Sequence, residues 1–169
     1  PVPASSPRLP AAKLPEKKDR RMVKILILNG PNLNILGRRD QSVYGAKTLD
    51  EINSELCKLA QSLDVELEFY QSNSEGALVD RIQENWGEVQ GIIVNPGALT
   101  HYGLSLKDAL IDSRLPVIEV HLGNPYARER WRRHSVITDI ARGQIAGFGW
   151  RSYTAALEIM AALVKEEIV

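Results

Sequence analysis

Short apolar runs alternate with amphipathic segments along most of this chain. The runs that predict strands are VKILIL from Val23, VELEFY from Val65, GIIVN from Gly91, PVIEV from Pro116 and QIAGF from Gln144. The segments with a helical period are TLDEINSELCKLAQSL from Thr48, residues 75–86, residues 104–113 and SYTAALEIMAALVKE from Ser152. This alternation is typical of successive βα units around a parallel sheet.

The first, third and fourth runs are almost continuously apolar, as expected for strands of a sheet that helices cover on both faces. The first helix is marked at its start by Thr48 and Glu51, which have the spacing of a capping box. Its apolar face is formed by Ile52, Leu56, Leu59 and Leu63. We therefore expect an α/β fold with a flavodoxin-like, doubly wound, five-stranded parallel sheet and helices on both faces.

Polar side chains follow every predicted strand. The segments are, in order, NGPNLNILGRRDQSVYG, QSNSEG, NPGALTHYG, HLGNPYARERWRRHS and GFGWRS. In open parallel sheets, ligands bind outside the carboxyl ends of the strands, where the strand order reverses. The segments therefore predict a ligand site at one edge of the sheet, although exposed loops are also polar without any function.

The composition limits what such a site binds. The chain has 169 residues, 44% of them hydrophobic, with 21 basic and 21 acidic side chains. A general nucleic-acid binder carries a basic excess, so we expect a small-molecule substrate and no nucleic acid. The phosphate-binding patterns GxGxxG and GxxxxGK[ST] do not occur. No run of eighteen apolar residues and no secretory signal is found, so we expect a cytoplasmic protein without a membrane partner.

The first twenty-one residues differ in composition from the rest of the chain. They are rich in proline, alanine and charge and lack a helical or strand period, so we expect a flexible leader, either natural or left by cloning. Met22 then begins one folded domain that extends over residues 22–169. The single cysteine, Cys57, excludes an internal disulfide, and we expect it to lie in the core.

Two histidines, His101 and His121, come just after the third and fourth strands. Imidazole is suited to proton transfer near neutral pH. Glu119 precedes His121 by two residues on the same strand, so both side chains point to one face, where the carboxylate could orient the ring. The alternative for either histidine is a loop side chain bonded to backbone, and for Glu119 an ordinary charge at a strand end.

Tyr44 is a candidate base. With an unperturbed pKa of about 10, only ~0.1% of a tyrosine is ionised at pH 7, and full ionisation needs roughly 4 kcal/mol. A nearby guanidinium favours the phenolate, and Arg38 and Arg39 lie in the same glycine-bounded loop. The alternative is a tyrosine that is simply packed under this loop.

Other chemistries have little support in the sequence. Zinc-spaced Cys/His clusters, HExxH and the GxSxG nucleophile pattern do not occur, and no lysine directly follows strands two to five. We therefore expect general acid–base chemistry without metal or cofactor. The stretch ARERWRRHS could bind an anion or hydroxyl groups; it could also bind RNA, but nothing elsewhere in the chain continues such a groove.

Five motifs occur in order: NGPNLNxLGRRxxxxYG, QSNSEG, NPGxLTH, EVHxxN and ARExxRRHS. Together they closely resemble type II 3-dehydroquinate dehydratase, over essentially all of the chain from Met22. The resemblance implies one catalytic domain over residues 22–169 that converts 3-dehydroquinate to 3-dehydroshikimate through an enolate. It also implies the flavodoxin-like fold, no metal, no cofactor, and a homododecamer assembled from trimers.

The resemblance implies roles for individual residues. Tyr44 would be the base, held as phenolate by Arg39. His121, oriented by Glu119, would protonate the departing hydroxyl. Asn32 would position a ring hydroxyl or a water that stabilises the enolate.

Further residues would bind the substrate. They are Asn95 and the backbone amides of Leu122 and Gly123 for the carboxylate, His101 and Arg132 for ring hydroxyls, Arg128 at the mouth, and Asp108, which would reach the lid of a neighbouring subunit. The chain departs from the family pattern at Gly123, where serine is usual, and at Arg130, where an acidic residue is common. The lost serine hydroxyl predicts weaker substrate affinity.

Two questions stay open at this point. The motifs do not decide between aromatic biosynthesis through the shikimate pathway and breakdown of quinate. The alternative function is a non-catalytic flavodoxin-like protein that binds a small polyhydroxy carboxylate in the same cleft. A tyrosine base beside an arginine favours the enzyme.

Overall fold

Five parallel strands form one sheet in the order β2-β1-β3-β4-β5. The strands are β1 Val23–Asn29, β2 Val65–Gln71, β3 Gly91–Asn95, β4 Val117–His121 and β5 Gly143–Ala146. The computed structural model describes residues 22–166, and the leader predicted over residues 1–21 lies outside them. The prediction of a five-stranded parallel sheet is confirmed.

Helices cover both faces of the sheet, as predicted. They are α1 Gln41–Tyr44, α2 Leu49–Ser62, α3 Glu75–Glu84, α4 Leu104–Ser113 and α5 Arg151–Glu166. Helices α2 and α5 pack on one face, α3 and α4 pack on the other, and the one-turn helix α1 lies in the connection after β1. Short 3-10 helices in the loops comprise Leu33–Ile35, Gly97–His101, Pro125–Ala127 and Arg130–Arg133.

The central strand β1 shows why its sequence is a continuous apolar run. Ile25 and Ile27 face α2 and α5, while Leu26 and Leu28 face α3 and α4, and all four are fully buried. Alternate residues of a strand point to opposite faces, so both faces need apolar side chains. Burying each such side chain contributes about 1.5–3 kcal/mol, which fixes β1 as the centre of the fold.

The start of α2 follows the predicted capping box. The Thr48 hydroxyl accepts from the Glu51 backbone N–H, and the Glu51 carboxylate accepts from the Thr48 N–H at 2.7 Å. The Thr48 N–H and the Thr48 hydroxyl both donate to the Glu51 carboxylate and hold its pKa below the ordinary value. The prediction for Cys57 was wrong, because this residue lies on the exposed side of α2. One step beyond the fully buried Leu56 turns the side chain by about 100°, away from the sheet.

Several strand bounds differ from the predicted ones by one or two residues, and two of these differences have a clear local cause. Strand β4 begins at Val117 instead of Pro116, which has no N–H to donate to a neighbouring strand. Strand β5 ends at Ala146, because Gly147 adopts a φ of 94° that turns the chain. The Gly147 N–H then donates to the His121 carbonyl, and the Gly149 N–H donates to that of Leu122. These bonds join the loop after β5 to the carboxyl end of β4.

The strand order reverses between β1 and β3. Strand β1 connects to β2 on one side and, through α3, the chain returns to place β3 on its other side. Loops that leave such neighbouring strands in opposite directions open a crevice at the carboxyl ends of the strands. Asn29 and Asn95 stand side by side there as the last residues of β1 and β3. The crevice is therefore the place where a ligand site is expected.

Candidate active site

A cleft of about 390 Å³ lies at the carboxyl ends of β1, β3 and β4. Its volume is in the range of small-molecule sites, roughly 300–1,000 Å³. The predicted site residues that line it are Asn32, Arg39, Tyr44, Asn95, His101, His121, Leu122, Gly123, Arg128 and Arg132. Glu119 lies beneath His121 and is hydrogen-bonded to it, whereas Asp108 is exposed on α4 and does not line this cleft. The fold thus brings together residues from three separate segments, those at the ends of β1, β3 and β4.

Tyr44 is positioned by the short helix α1. Asp40 caps the start of this helix by accepting hydrogen bonds from the Ser42 N–H at 2.9 Å and from the Ser42 hydroxyl at 2.6 Å. These bonds from Ser42 hold the pKa of Asp40 below its ordinary value, so the cap is an anion. Gly45 ends the helix with a φ of 79°, a conformation that glycine adopts without strain. Tyr44 is therefore the last residue of a turn that is defined at both ends.

The Tyr44 phenol oxygen receives hydrogen bonds from two guanidinium groups. Arg39 Nη2 lies 2.8 Å from this oxygen and Arg128 Nη1 lies 2.9 Å from it. The Arg39 guanidinium also lies over the Tyr44 ring, with Cζ 3.8 Å from the ring centroid. Two cationic donors on one oxygen favour negative charge there. The contact with Arg39 was predicted, and the contact with Arg128 was not.

His121 is held from below by a buried carboxylate. Its Nε2 lies 2.7 Å from Glu119 Oε1, and the Glu119 side chain is fully buried. The hydroxyls of Thr100, Ser135 and Thr138 also donate to this carboxylate. Burial opposes ionisation of Glu119, but the hydrogen bond and charge of His121, together with the hydroxyls of Thr100 and Thr138, hold its pKa below the ordinary value. Glu119 is therefore an anion beneath the His121 ring.

Asn95 is fixed by a buried network that reaches α5. Its Nδ2 donates to the Tyr153 hydroxyl at 2.9 Å, and that hydroxyl donates to Asn29 Oδ1 at 2.6 Å. The Gly97 N–H donates to Asn95 Oδ1 at 3.2 Å. Burial raises the pKa of Tyr153, so it stays a neutral hydroxyl. The Asn95 amide is thus held rigidly in the floor of the cleft.

The opposite wall is formed by the loop between β4 and β5. His101 Nδ1 donates to the His134 carbonyl at 2.6 Å, which leaves Nε2 as its other ring nitrogen for a ligand. The rings of His101 and Trp131 pack in a T-shaped arrangement with centroids 5.0 Å apart. Arg132 stacks over Trp131 and donates from Nε to Glu129 at 2.9 Å. Contacts on both sides thus hold these two cleft residues in place.

Residues 37–45, which contain α1, are called the lid below. Helix α1 contacts the loop after β4 directly. A Cβ atom placed at Gly123 would lie 3.1 Å from the Val43 carbonyl oxygen and 3.2 Å from its Cγ1. These distances are shorter than ordinary contacts, so glycine permits a closer approach of α1 than a larger residue would.

On the far side of the cleft, Asn32 has a φ of 66°, and its N–H donates to Asn73 Oδ1 at 2.9 Å.

Among residues 22–166, no group of three or more His, Cys, Asp or Glu side chains is arranged to hold a metal ion. Within the same described part of the chain, no helix has the length and apolarity that a membrane crossing requires.

A flavodoxin-like sheet with a guanidinium-bound tyrosine and a carboxylate-bound histidine in one cleft is the framework of an acid–base enzyme. A family model described as "Dehydroquinase class II" matches residues 23–161. The 3-dehydroquinate dehydratase of Roseiflexus castenholzii is 57% identical over 136 residues, covering 80% of this chain and 87% of that protein. The corresponding protein of Herpetosiphon aurantiacus is 53% identical over 136 residues, covering 80% and 94%.

A solved structure agrees with these relatives. The type II dehydroquinase from Butyrivibrio crossotus is similar with a TM-score of 0.80 and 40% identity, covering 82% of this chain and 97% of that one. This chain belongs to the class II dehydroquinase family. The resemblance inferred from the five motifs is confirmed.

Proposed function

We propose that this protein is a 3-dehydroquinate dehydratase that eliminates water from its substrate by acid–base catalysis in the cleft described above. Membership of the class II dehydroquinase family supports the reaction. The observation that carries the proposal is the Tyr44 oxygen with two guanidinium donors, in the same cleft as His121 on its buried carboxylate. Removal of a proton and a hydroxyl requires a base and an acid, and this cleft contains a candidate for each.

Tyr44 is the proposed base. As a phenolate it takes a proton from the carbon next to the ketone, which leaves an enolate and a neutral phenol. Ionising an ordinary tyrosine at pH 7 needs roughly 4 kcal/mol. Hydrogen bonds to charged groups are stronger than those between neutral groups, so the donors from Arg39 and Arg128 favour the phenolate.

His121 is the proposed acid. Its Nε2 is engaged with Glu119, so Nδ1 is the ring nitrogen that remains to give a proton to the departing hydroxyl. The carbon–oxygen bond breaks as the enolate re-forms the ketone, and the hydroxyl leaves as water. The buried Glu119 anion stabilises the protonated ring before this transfer. Each step moves protons between side chains and substrate and needs no metal or cofactor.

The substrate-binding roles are proposals of the same kind. The backbone amides of Leu122 and Gly123, with Asn95, would bind the carboxylate at the floor of the cleft. His101 and Arg132 would bind ring hydroxyls from the opposite wall, and Asn32 would position a hydroxyl or a water near the enolate. All six line the same cleft, which supports a common ligand.

The proposed working form is a cytoplasmic homo-oligomer, a dodecamer assembled from trimers. Asp108 supports this proposal, because it is exposed on α4 and outside the cleft of its own chain. In a shared site, Tyr44→Phe and Asp108→Ala chains should each be inactive alone but regain activity when refolded as a mixture. A fully active monomer would contradict the shared site.

The function is tested with an absorbance assay that measures formation of the conjugated enone product. Tyr44→Phe should lower kcat by ~10² or more, since a general base contributes at least that much. The matched control is Tyr70→Phe, because Tyr70 also lies under a guanidinium, that of Arg81, but outside the cleft. Turnover by Tyr44→Phe within about tenfold of the parent would refute the base. Substrate binding without any turnover by the parent would indicate the binding protein instead.

A further inference from the structure

The carboxylate of Glu119 has more hydrogen-bond donors than orienting a histidine requires. It lies fully buried under the cleft and contacts His121, Thr100, Ser135 and Thr138. The hydroxyl residues lie 16 to 19 positions from Glu119 in the chain and come from the loops after β3 and β4. The proposed mechanism gives these three hydroxyls no role, so their convergence on one carboxylate calls for an explanation.

The direction of each hydroxyl hydrogen follows from the other contacts. Ser135 Oγ accepts from the backbone N–H groups of Ile137 and Thr138, each at 3.0 Å, so its hydrogen points to Glu119. Ser135 has no acceptor position left for Thr100, although their oxygens are 2.8 Å apart, so the Thr100 hydrogen also goes to Glu119.

The third hydroxyl, that of Thr138, has its own partner behind it. Thr138 Oγ1 accepts from Gln144 Nε2 at 3.0 Å and donates to Glu119 Oε2. The carboxylate therefore receives hydrogens from three hydroxyls in addition to the His121 ring. A carboxylate offers about four acceptor positions, so all of them are used when Glu119 is an anion and His121 Nε2 carries its hydrogen.

Glu119 and His121 share one proton, and burial and the hydroxyl donors have opposite effects on which of the two residues holds it. In a buried site, desolvation favours the neutral arrangement, in which Glu119 holds the proton and His121 is uncharged. Three hydroxyl donors favour the ionic arrangement, because they bind the anion better than the protonated acid. A neutral imidazole is a much weaker acid than an imidazolium, so the balance decides whether His121 can protonate a leaving hydroxyl.

We propose that Thr138, oriented by Gln144, is a positioning residue that keeps the shared proton on His121 instead of Glu119. Thr138 is the cleanest of the three hydroxyls to test, because within residues 22–166 the hydrogen bonds of its side chain go to Glu119 and Gln144 alone. Ser135 also binds two backbone N–H groups, so its replacement would disturb the loop. The kinetic consequence rests on the proposed function, whereas the proton position can be measured without it.

The kinetic experiment compares Thr138→Val, which keeps the shape and removes the hydroxyl, with Thr138→Ser, which keeps the hydroxyl. We expect Thr138→Val to lower kcat by about ten- to a hundredfold with KM changed by less than about threefold, the loss of one hydrogen bond to a buried charge. Thr138→Ser should restore most of the loss. The matched control is Thr154→Val on α5, whose hydroxyl donates to the Arg151 carbonyl of its own helix, outside the cleft.

The second measurement is ¹⁵N NMR of the His121 ring in the assembled protein, assigned by its disappearance in His121→Asn. At a pH where the parent has both ring nitrogens protonated, Thr138→Val should have an unprotonated Nε2, because Glu119 now holds the hydrogen. Gln144→Met, which removes the donor behind Thr138, should shift the same signal in the same direction and serves if Thr138→Val does not fold.

Two results would overturn the proposal. One is Thr138→Val with kcat within about threefold of the parent, and the other is a His121 Nε2 that stays protonated in both Thr138→Val and Gln144→Met. Absence of dehydratase activity in the parent would instead refute the proposed function, and the NMR comparison would still decide the position of the proton.

Discussion

The two sides of the cleft stabilise an anion by different means. On the lid side, the Tyr44 oxygen is bound by the guanidinium groups of Arg39 and Arg128, which remain partly exposed to solvent. On the strand side, Glu119 is fully buried, and apart from His121 the donors that surround it are neutral hydroxyls. One anion is thus matched with cations near water and the other with dipoles in the core.

The difference follows from what each anion is for. A phenolate base has to exist as an anion before the reaction, so a neighbouring cation helps it directly. The carboxylate under His121 has to stabilise a positive ring, and a second cation bound to it would compete with that ring. Neutral hydroxyls keep the carboxylate ionised without repelling the imidazolium. The chemical task therefore selects the kind of donor on each side.

Among the changes that test this comparison, the largest effect is expected from neutralising Arg39, the cation next to Tyr44. Arg39→Gln should lower kcat by about 10–100-fold at neutral pH, because one charge-assisted hydrogen bond to the phenolate is lost. Activity should recover as the pH is raised, since solvent then removes the phenol proton without help from Arg39. Steady-state rates from pH 6 to pH 10 check both points.

The neighbouring Arg38 provides the matched control for this prediction. It is adjacent in sequence and exposed, but it does not line the cleft. Arg38→Gln should therefore leave the pH profile of the parent unchanged. If both variants lose activity equally, the net charge of the lid matters and the individual hydrogen bond to Tyr44 does not.

A smaller effect is expected where the two sides of the cleft touch. Gly123→Ala adds a Cβ that would lie 3.1 Å from the Val43 carbonyl, so α1 has to move outward. Overpacking of this kind typically costs about 1–3 kcal/mol, which predicts a KM raised on the order of tenfold, with a smaller change in kcat. Gly143→Ala is the control, because among residues 22–166 no atom other than those of its chain neighbours lies within 4 Å of the position that its Cβ would take.

Gly123→Ser tests two effects at once, the steric clash of an added Cβ with Val43 and the hydroxyl that the family pattern usually has at this position. Comparison with Gly123→Ala, which adds only the Cβ, isolates the effect of the hydroxyl. If it binds substrate more tightly than Gly123→Ala, the hydroxyl contributes to carboxylate binding despite the displaced lid. Equal KM values for Gly123→Ala and the parent would show that α1 does not close against this loop during turnover.

The sequence predicted best those features that depend on neighbouring positions. Glu119 and His121 are two residues apart on one strand, and Arg39 and Tyr44 are close within one loop, so their contacts follow from local geometry. The buried strands could be recognised because both faces of the sheet need apolar side chains. Cys57 was assigned wrongly because cysteine is a residue type that is often buried, whereas its position along α2 places its side chain on the face that points to solvent.

The features that were missed depend on packing between distant segments. Arg128 reaches Tyr44 across 84 residues of chain, and no pattern in either loop indicates this pairing. Thr100, Ser135 and Thr138 are small polar residues in loops, where such residues are common for many reasons. Only the folded arrangement, which stacks the loops after β3 and β4 over one carboxylate, distinguishes them from ordinary loop residues.

The smallest expected effect tests the strand side alone, through stability. The pKa of Glu119 is lower in the folded protein than its ordinary value of 4.5, since its hydrogen bonds outweigh desolvation. Its ionisation therefore contributes stability above that pH, and the contribution is lost as the pH falls through the folded pKa. Glu119→Gln lacks this term, so the parent should lose stability more steeply between about pH 5 and pH 3. Urea unfolding of both proteins at several pH values measures the gap, and a gap that stays constant on acidification would mean that Glu119 is not the ionised centre of its hydroxyl cluster.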